Sequence, residues 1–429
     1  MQLSTDADDL SKGQTSTVCL RRPWKRYIVV TLAVLTLLIV ASLVGSQPSR
    51  HQESHGSFYG PPASPVLGWL HTDGTSLVDA SGRIVILAGV DDSRLVYGEG
   101  NTPDRCGRVW SEASAADIAN MRSMGFNMDR IALSWADLEP VAPTVNPNGT
   151  LTHHWNEQYL SALSREIKEL HAHHMVAILD MHQSGWSPAF TGNACEGDGM
   201  PRWLYTSLPN GPNAIGVAQC QFFSNIKETG VPEKPQEGLA AVWHMLARRY
   251  ASNATVVGAD MFNEPDWPGY CRDAHLASFY EKIGYAIRAV NKHILLIYED
   301  RAYVKNPAHP FLLARKPALS NAVYSWHFYP TNWRDGQAAL AAHLARARAW
   351  DVPLWIGEFD GFGGSYNVRI SPPLDPHWQS DLGALMAYFK ANGISWSIWD
   401  YKGGGYSVVE PGTDRPKGEL ISLLHQDMP

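Results

Sequence analysis

Charge is scarce in this sequence of 429 residues. Asp, Glu, Lys and Arg make up 18% of it, below the roughly 25% of average soluble domains, and the net charge is −7. The chain has no basic excess that could neutralise a phosphate backbone, so we expect no nucleic-acid partner. We find no internal repeat of about 20–50 residues, which argues against a solenoid or propeller. The 45% of hydrophobic residues excludes a wholly disordered chain.

Charge is absent altogether from one long apolar segment near the N-terminus, residues 27–45 (YIVVTLAVLTLLIVASLVG). As a helix this segment would reach about 28 Å, close to the hydrocarbon thickness of a bilayer. Basic residues before a membrane span favour the cytoplasmic side, which would place residues 1–26 in the cytoplasm and the rest outside the cell. These basic residues are Arg21, Arg22, Lys25 and Arg26.

The alternative for the apolar segment is a cleavable signal peptide, since Val44, Gly45 and Ser46 are small enough for a cleavage site. The segment exceeds the usual length of a signal-peptide core, which favours a retained anchor. We therefore expect a single-pass protein of the cell membrane, secreted if the segment is cleaved. Residues 46–64 have the composition of a linker, and residues 65–429 would form an extracytoplasmic domain.

Cysteine is also scarce, with five residues and no Cys-x-x-Cys spacing that would favour a zinc site. Cys19 precedes the apolar segment, and the other four would lie in an oxidising compartment, where an even number favours disulfides. Four cysteines can pair in more than one way. We expect Cys195 to pair with Cys220, because both lie in one long loop region, and Cys106 to pair with Cys271.

From about residue 77 onward, short apolar runs rich in β-branched residues alternate with helical patterns. Such patterns precede the second, third and fifth runs, at 115–125, 159–174 and 276–292. The alternation predicts an α/β fold, a (β/α)8 TIM barrel with long βα-loop insertions, of which the largest spans about 183–238. The eight predicted strands are 84–90, 128–135, 176–182, 256–264, 294–300, 322–328, 354–359 and 394–400.

Polar residues lie in or at the ends of most of these strands. Active sites of such barrels lie at the carboxyl ends of the strands, so these side chains would face one cavity. They offer two carboxylates, a guanidinium, two imidazoles, a phenol, an amide and an indole, which is typical of an active site rather than of a core. The candidate site residues are Arg130 in strand 2, His182 ending strand 3, Asn263 and Glu264 ending strand 4, His327 and Tyr329 at strand 6, Glu358 ending strand 7 and Trp399 ending strand 8.

Glu264 and Glu358 each end an apolar strand, where burial of an unpaired carboxylate would cost several kcal/mol. Two carboxylates across a cavity are the machinery of glycoside hydrolysis. A separation of about 5–5.5 Å gives retention of configuration and about 6.5–9.5 Å gives inversion, and the sequence leaves this open. Arg130 would favour the ionised form of one glutamate, while burial and the neighbouring charge would favour protonation of the other.

Six sequence motifs resemble the strand-end motifs of the cellulase-type family 5 glycoside hydrolases, in the larger clan with the Asn-Glu-Pro strand. They occur in the expected order on strands 2, 3, 4, 6, 7 and 8, and the resemblance runs from about Leu77 to Trp399. The motifs are GFNMDRIALSW, LDMHQ, ADMFNEP, YSWHFYP, WIGEF and WSIWDYK.

The resemblance implies a role for each candidate residue, with Glu264 as the acid/base and Glu358 as the nucleophile of a retaining enzyme. The other roles that it implies are orientation and ionisation of Glu358 by Arg130 and Tyr329, binding of the sugar 2-hydroxyl by Asn263, lining of the reacting subsite by His182 and His327, and a subsite floor formed by Trp399. We accordingly expect a cellulase- or endoglucanase-like hydrolase of β-linked glycans in carbohydrate catabolism, with no cofactor and no metal.

Other interpretations stay open at this point. The segments HQSGWSPAF, GDGMPRWL, NEPDWPG and HFYP are similar to the endoglycoceramidase branch of the family, which implies a glycolipid substrate. A hypothesis of another class is a non-catalytic carbohydrate-binding barrel at the cell surface. His171, His173 and His174 could suggest a metal-dependent barrel hydrolase, but they end a helix before strand 3, on the face opposite the predicted site.

Overall fold

The computed structural model describes most of the chain beyond residue 63. The predicted tail at 1–26, the membrane segment at 27–45 and nearly all of the linker at 46–64 lie outside the described residues. Within the described part, no helix has both the length and the apolar character of a membrane span. The described residues are 64–65, 68–98, 110–183, 185–190, 199–206, 213–269, 271, 274–301, 311–366, 376–403 and 406–426.

Eight parallel strands close into a barrel in which each strand pairs with the next along the chain and the last pairs with the first. All eight predicted strands are confirmed, with small differences at their ends. The fourth strand ends at Asp260 rather than at Glu264, so Asn263 and Glu264 lie on the loop that follows it. The strands are β1 Ala88–Asp92, β2 Met128–Leu133, β3 Val176–Met181, β4 Val256–Asp260, β5 Leu295–Glu299, β6 Ala322–Phe328, β7 Leu354–Phe359 and β8 Ser395–Ile398.

Helices pack around the barrel, and the three helices predicted at 115–125, 159–174 and 276–292 are confirmed. Residues 300–301 and 311–321, the described parts of the connection from β5 to β6, contain no helix. The described helices of eight or more residues are α1 Ala115–Ser123, α2 Glu157–Ala172, α3 Ala214–Phe223, α4 Pro235–Arg249, α5 Leu276–Arg288, α6 Trp333–Trp350, α7 Trp378–Asn392 and α8 Gly418–His425.

Helix α2 shows how the sequence specifies this outer layer. The side chain of Asn156 accepts hydrogen bonds from the amides of residues 158 and 159 and so caps the first turn. Tyr159, Leu163, Ile167 and Leu170 recur every three or four positions and are buried against the barrel. Burial of each such side chain contributes about 1.5–3 kcal/mol, which holds the helix against β3.

A β-hairpin packs against the amino-terminal end of the barrel. Its strands are His71–Asp73 and Ser76–Val78, and Leu70 and Leu77 join an apolar cluster with residues from the strand starts, including Val176. The carboxyl end of the barrel is therefore left for the polar residues.

The insertion between β3 and α4 contains α3, and a disulfide bonds Cys220 of α3 to Cys271 in the loop after β4. The predicted pairings of Cys195 with Cys220 and of Cys106 with Cys271 are therefore wrong. Neighbouring strands of a barrel bring the segments that follow them side by side, which allows Cys220 to bond to a cysteine 51 positions away. Cys106 and Cys195 lie outside the described residues.

Candidate active site

The structure brings all eight candidate residues together at the carboxyl end of the barrel. Contacts with Arg130 or His327 connect five of them directly, and His182 stacks on Trp399 beside this group. Trp396 points the other way, into the core beside Phe359, as strand alternation predicts.

Glu358, the candidate nucleophile, is held from two sides. Its Oε1 lies 2.7 Å from Nη1 of Arg130, and its Oε2 accepts a 2.8 Å hydrogen bond from the Tyr329 hydroxyl. Burial raises the pKa of Glu358 above its ordinary value, against the opposing charges of His327 and Arg130. Because both oxygens have strong partners, the geometry supports the ionised form.

Glu264, the candidate acid/base, has a different environment. Its side chain is 36% exposed, against 5% for that of Glu358. It faces Nδ1 of His327 through Oε1 at 2.9 Å, and its backbone has a φ of 47°. A residue other than glycine adopts this left-handed conformation at a cost of about 1–3 kcal/mol. Proteins retain such strained residues mainly at functional sites. The strained loop thus presents this carboxylate to the open end of the barrel.

The two glutamates lie close together around His327. One carboxylate oxygen of Glu264 and one of Glu358 are within 4.8 Å of each other, and Nδ1 of His327 is 3.5 Å from Oε2 of Glu358. The imidazole of His327 thus lies beside both carboxylates.

Arg130 is fully buried and contacts five carboxylates at 2.7–3.2 Å. Burial disfavours its charge, but these neighbours raise the pKa of the guanidinium. One cation cannot balance so many acids, and burial raises the pKa values of Asp91 and Asp260 well above the ordinary range. The neutral forms of these two carboxyls are therefore favoured. The five carboxylates are Asp91, Asp180, Asp260, Glu299 and Glu358.

Aromatic rings form another part of the site. The ring of His182 stacks on Trp399 with a centroid distance of 5.2 Å, and Tyr97 packs edge-on against both rings. Burial lowers the pKa of His182, but the carboxylate of Asp180, 2.8 Å away, raises it. The net shift is upward. The apolar ring faces suit the C–H face of a sugar, while the charged groups suit its hydroxyls.

Asn263 is fixed by hydrogen bonds on both sides of its amide. Its Oδ1 accepts from Nη2 of Arg130 at 2.8 Å, and its Nδ2 donates to the carbonyl oxygen of Gln183 at 3.0 Å. The bond to Arg130 also assigns the orientation of the amide, because a guanidinium can only donate.

Sequence reasoning missed Glu299 and Tyr97. Glu299 ends β5, a predicted strand for which no site residue was assigned, so its position in IYED was the available signal. Tyr97 lies in the four-residue helix Arg94–Tyr97 after β1. It is not at the end of a strand, so the search for polar residues at strand ends did not find it.

Three described groups of carboxylates and imidazoles have ligand atoms close enough to hold a cation. In two of these groups Arg130 already provides the cation. The third group includes Asp92, which forms an ion pair with Arg94 at 2.6 Å. The stretch from His171 to His174 leads from α2 into the amino end of β3, away from the site. The groups are Glu264, His327 and Glu358; Asp260, Glu299 and His327; and Asp92, Asp129 and Glu166.

Known proteins of similar sequence are glycosidases. Endoglycoceramidase I from Rhodococcus hoagii is 29% identical over 294 residues, which is 62% of this chain and 54% of that protein. This chain thus aligns with about half the length of that relative. An endoglucanase from Paenibacillus polymyxa is 24% identical over 408 residues, covering 84% of this chain and 88% of that protein.

Solved structures share the fold. An endogalactoceramidase superposes with a TM-score of 0.64 at 19% identity, covering 83% of this chain and 85% of that one. The lactosyl-enzyme intermediate of endo-glycoceramidase II from Rhodococcus sp. superposes with a TM-score of 0.60 at 22% identity, covering 84% and 81%. The sequence matches the family described as Cellulase (glycosyl hydrolase family 5) over residues 78–405. With this match and with its closed barrel, the chain belongs to glycosyl hydrolase family 5.

Proposed function

We propose that this protein is a retaining glycosidase that cleaves O-glycosidic bonds of β-linked glycans in carbohydrate catabolism. The observation that carries the proposal is the pair Glu264 and Glu358, with oxygens within 4.8 Å and unequal environments. A buried, doubly bonded carboxylate suits a nucleophile, and a half-open carboxylate beside an imidazole suits an acid/base.

The reaction would proceed in two displacements. Glu358 attacks the anomeric carbon while Glu264 protonates the departing oxygen, and the glycosidic bond breaks. Water then attacks the anomeric carbon of the glycosyl ester as Glu264 takes its proton, and the bond to Glu358 breaks. Arg130 and Tyr329 stabilise the carboxylate that leaves in this second step.

The test is hydrolysis of an aryl β-cellobioside by the variants E264A and E358A. Each is expected to lose at least about 10²-fold in kcat/KM, because each removes a group that acts on the reacting bond. The control is E157A, which removes an exposed glutamate of α2 paired with Arg249. Unchanged hydrolysis in both site variants would refute the proposal.

A glycolipid is the second candidate substrate, favoured by the endoglycoceramidase relative. A cavity of about 780 Å³ lies between the loops that follow Tyr329 and Glu358, and Trp333 and Phe362 line it. This is the size of a site for a larger organic ligand. A product screen of β-glucans, β-mannans and glycosylceramides separates the two candidates. Release of an intact oligosaccharide from a glycosylceramide, with no action on the glucans, would favour the glycolipid.

The non-catalytic alternative predicts sugar binding without turnover on the same panel. The paired glutamates count against it, because a scaffold that only binds sugar has no need of a strained backbone at Glu264 or of a buried carboxylate at Glu358.

We also propose that residues 27–45 anchor the catalytic domain outside the cell, with residues 46–64 as a spacer. The support is the uncharged run and the basic residues before it. In a cell expressing the full chain, the protein is expected in the membrane fraction after carbonate washing and to be accessible to external protease. Full recovery in the soluble fraction of a chain that retains residues 27–45 would refute the anchor.

A further inference from the structure

Glu299, the last residue of β5, is a fully buried carboxylate that contacts three parts of the site. Its Oε2 accepts the backbone N–H of Glu264 at 2.7 Å. Its Oε1 lies 3.0 Å from Nε2 of His327 and 3.2 Å from Nη2 of Arg130. Glu299 is therefore linked to the candidate acid/base twice, through its backbone and through its imidazole partner.

His327 lies between two carboxylates, with Nδ1 on the side of Glu264 and Nε2 on the side of Glu299. Burial opposes ionisation of Glu299, but the charges of His327 and Arg130 outweigh it and lower its pKa to about 2. The ionised carboxylate 3.0 Å from Nε2 favours, by its charge, a proton on that nitrogen, while Nδ1 faces Glu264. The aspartate of a serine-protease triad fixes the tautomer of its histidine in the same way.

We propose that Glu299 is a positioning residue for the acid/base. Through His327 it keeps the catalytic proton on the pair Glu264 and His327, and through the amide of Glu264 it holds that carboxylate at the open end of the barrel. This inference rests on the proposed glycosidase function.

The proton balance follows the two displacements. In the first, the pair gives one proton to the glycosidic oxygen while the bond from that oxygen to the anomeric carbon breaks and Glu358 bonds to the carbon. In the second, water returns one proton to the pair, its hydroxyl oxygen bonds to the anomeric carbon, and the ester bond to Glu358 breaks.

Other titratable groups also surround His327 and Glu299. Burial raises the pKa values of Asp91 and Asp260, which favours their neutral forms, so they do not replace the charge beside Nε2. The groups that face the two residues are Asp91 from β1, Arg130 from β2, Asp260 from β4, Glu264 from the following loop, Tyr280 from α5, Tyr329 after β6 and Glu358 from β7.

The first test is the pH profile of E299Q. The negative charge of Glu299 helps to raise the pKa of His327, so replacing it with a neutral amide lowers the pH at which the imidazole loses its proton. The alkaline limb of kcat/KM is therefore expected to move to lower pH by about one pH unit or more. A limb that stays in place would overturn the proposal.

The second test compares leaving groups. Phenyl β-cellobioside needs a proton to depart, and E299Q is expected to lose about 10²-fold or more in kcat/KM. The 2,4-dinitrophenyl glycoside needs none, and the loss should be no more than about threefold. A merely structural defect would lower both rates equally, and that result would also overturn the proposal.

The matched control is E166Q, which replaces another buried glutamate, on α2 and outside the site. It is expected to leave both the alkaline limb and the ratio between leaving groups unchanged. Should E299Q fail to fold, neutron diffraction from crystals of the wild-type chain decides: a deuteron on Nε2 of His327 supports the proposal, and a bare Nε2 overturns it. If E264A and E358A stay fully active, the glycosidase function itself fails, which is a different outcome.

Discussion

Replacement of Tyr329 by phenylalanine tests how Glu358 is kept ionised. The variant removes one hydroxyl, whose 2.8 Å hydrogen bond to Oε2 of Glu358 is a strong contact to a charged group. Burial and the charges of Glu358 and Glu264 raise the pKa of Tyr329, so this hydroxyl remains a donor over the whole working range of pH.

The magnitude follows from the value of such a bond. A hydrogen bond to a charged group contributes about 1.5–3 kcal/mol, and 1.36 kcal/mol corresponds to about one pKa unit. Loss of the bond disfavours the charged form, so the pKa of Glu358 should rise by roughly 1–2 units. Arg130, 2.7 Å from Oε1, remains and prevents a larger change.

The assay is kcat/KM for an aryl β-cellobioside as a function of pH. The nucleophile is active when ionised, so activity is lost as the pH falls through the pKa of Glu358. A raised pKa moves this acid limb to higher pH, and the alkaline limb, which reports the acid/base, should stay nearly in place.

The matched control is Y250F. This variant removes a hydroxyl outside the site, 3.0 Å from the hydroxyl of Ser164. Its acid limb should coincide with that of the unmodified enzyme. An acid limb of Y329F that does not move, or that moves to lower pH, would refute the account of how Glu358 is held.

Three further predictions concern the site and its support. Trp399→Ala should lower kcat/KM by about 10-fold or more, mainly through a higher KM, because the apolar contact with the sugar contributes roughly 1.5–3 kcal/mol of binding free energy. Steady-state kinetics measures this, and an unchanged KM would contradict the role of Trp399. Arg130→Met should lower the free energy of unfolding by about 3–5 kcal/mol, because buried carboxylates lose their cation, and urea titration checks this; a wild-type midpoint would refute it. Cys271→Ser should cost up to about 4 kcal/mol, given a closed loop of 51 positions, and thermal unfolding with and without reductant measures it; a reductant-insensitive wild-type chain would contradict a stabilising disulfide.

The barrel could be predicted from the sequence because each strand has a clear apolar pattern between turn signals. The same pattern located Glu358, the penultimate residue of β7. Glu264 is less direct, since β4 ends at Asp260 and the loop then carries Glu264 to its position with a left-handed backbone. The sequence identified Glu264 as a site residue, but the strand pattern could not predict the left-handed backbone conformation that it adopts.

Contacts between loops of different strands could not be predicted. The pairing of Cys220 with Cys271 depends on how the insertion after β3 lies beside the loop after β4, and no local pattern encodes this. Glu299 was missed for a related reason. A glutamate at the end of an apolar strand has no assigned role until the barrel places it beside His327 and the amide of Glu264.

The most direct measurement of the central claim is trapping of the glycosyl-enzyme with a 2-deoxy-2-fluoro β-cellobioside that bears a dinitrophenyl leaving group, followed by mass spectrometry. The account predicts one covalent adduct per chain, on the peptide that contains Glu358, and no adduct in E358A. A chain that turns over the parent glycoside but forms no adduct, or forms it on another residue, would contradict the account.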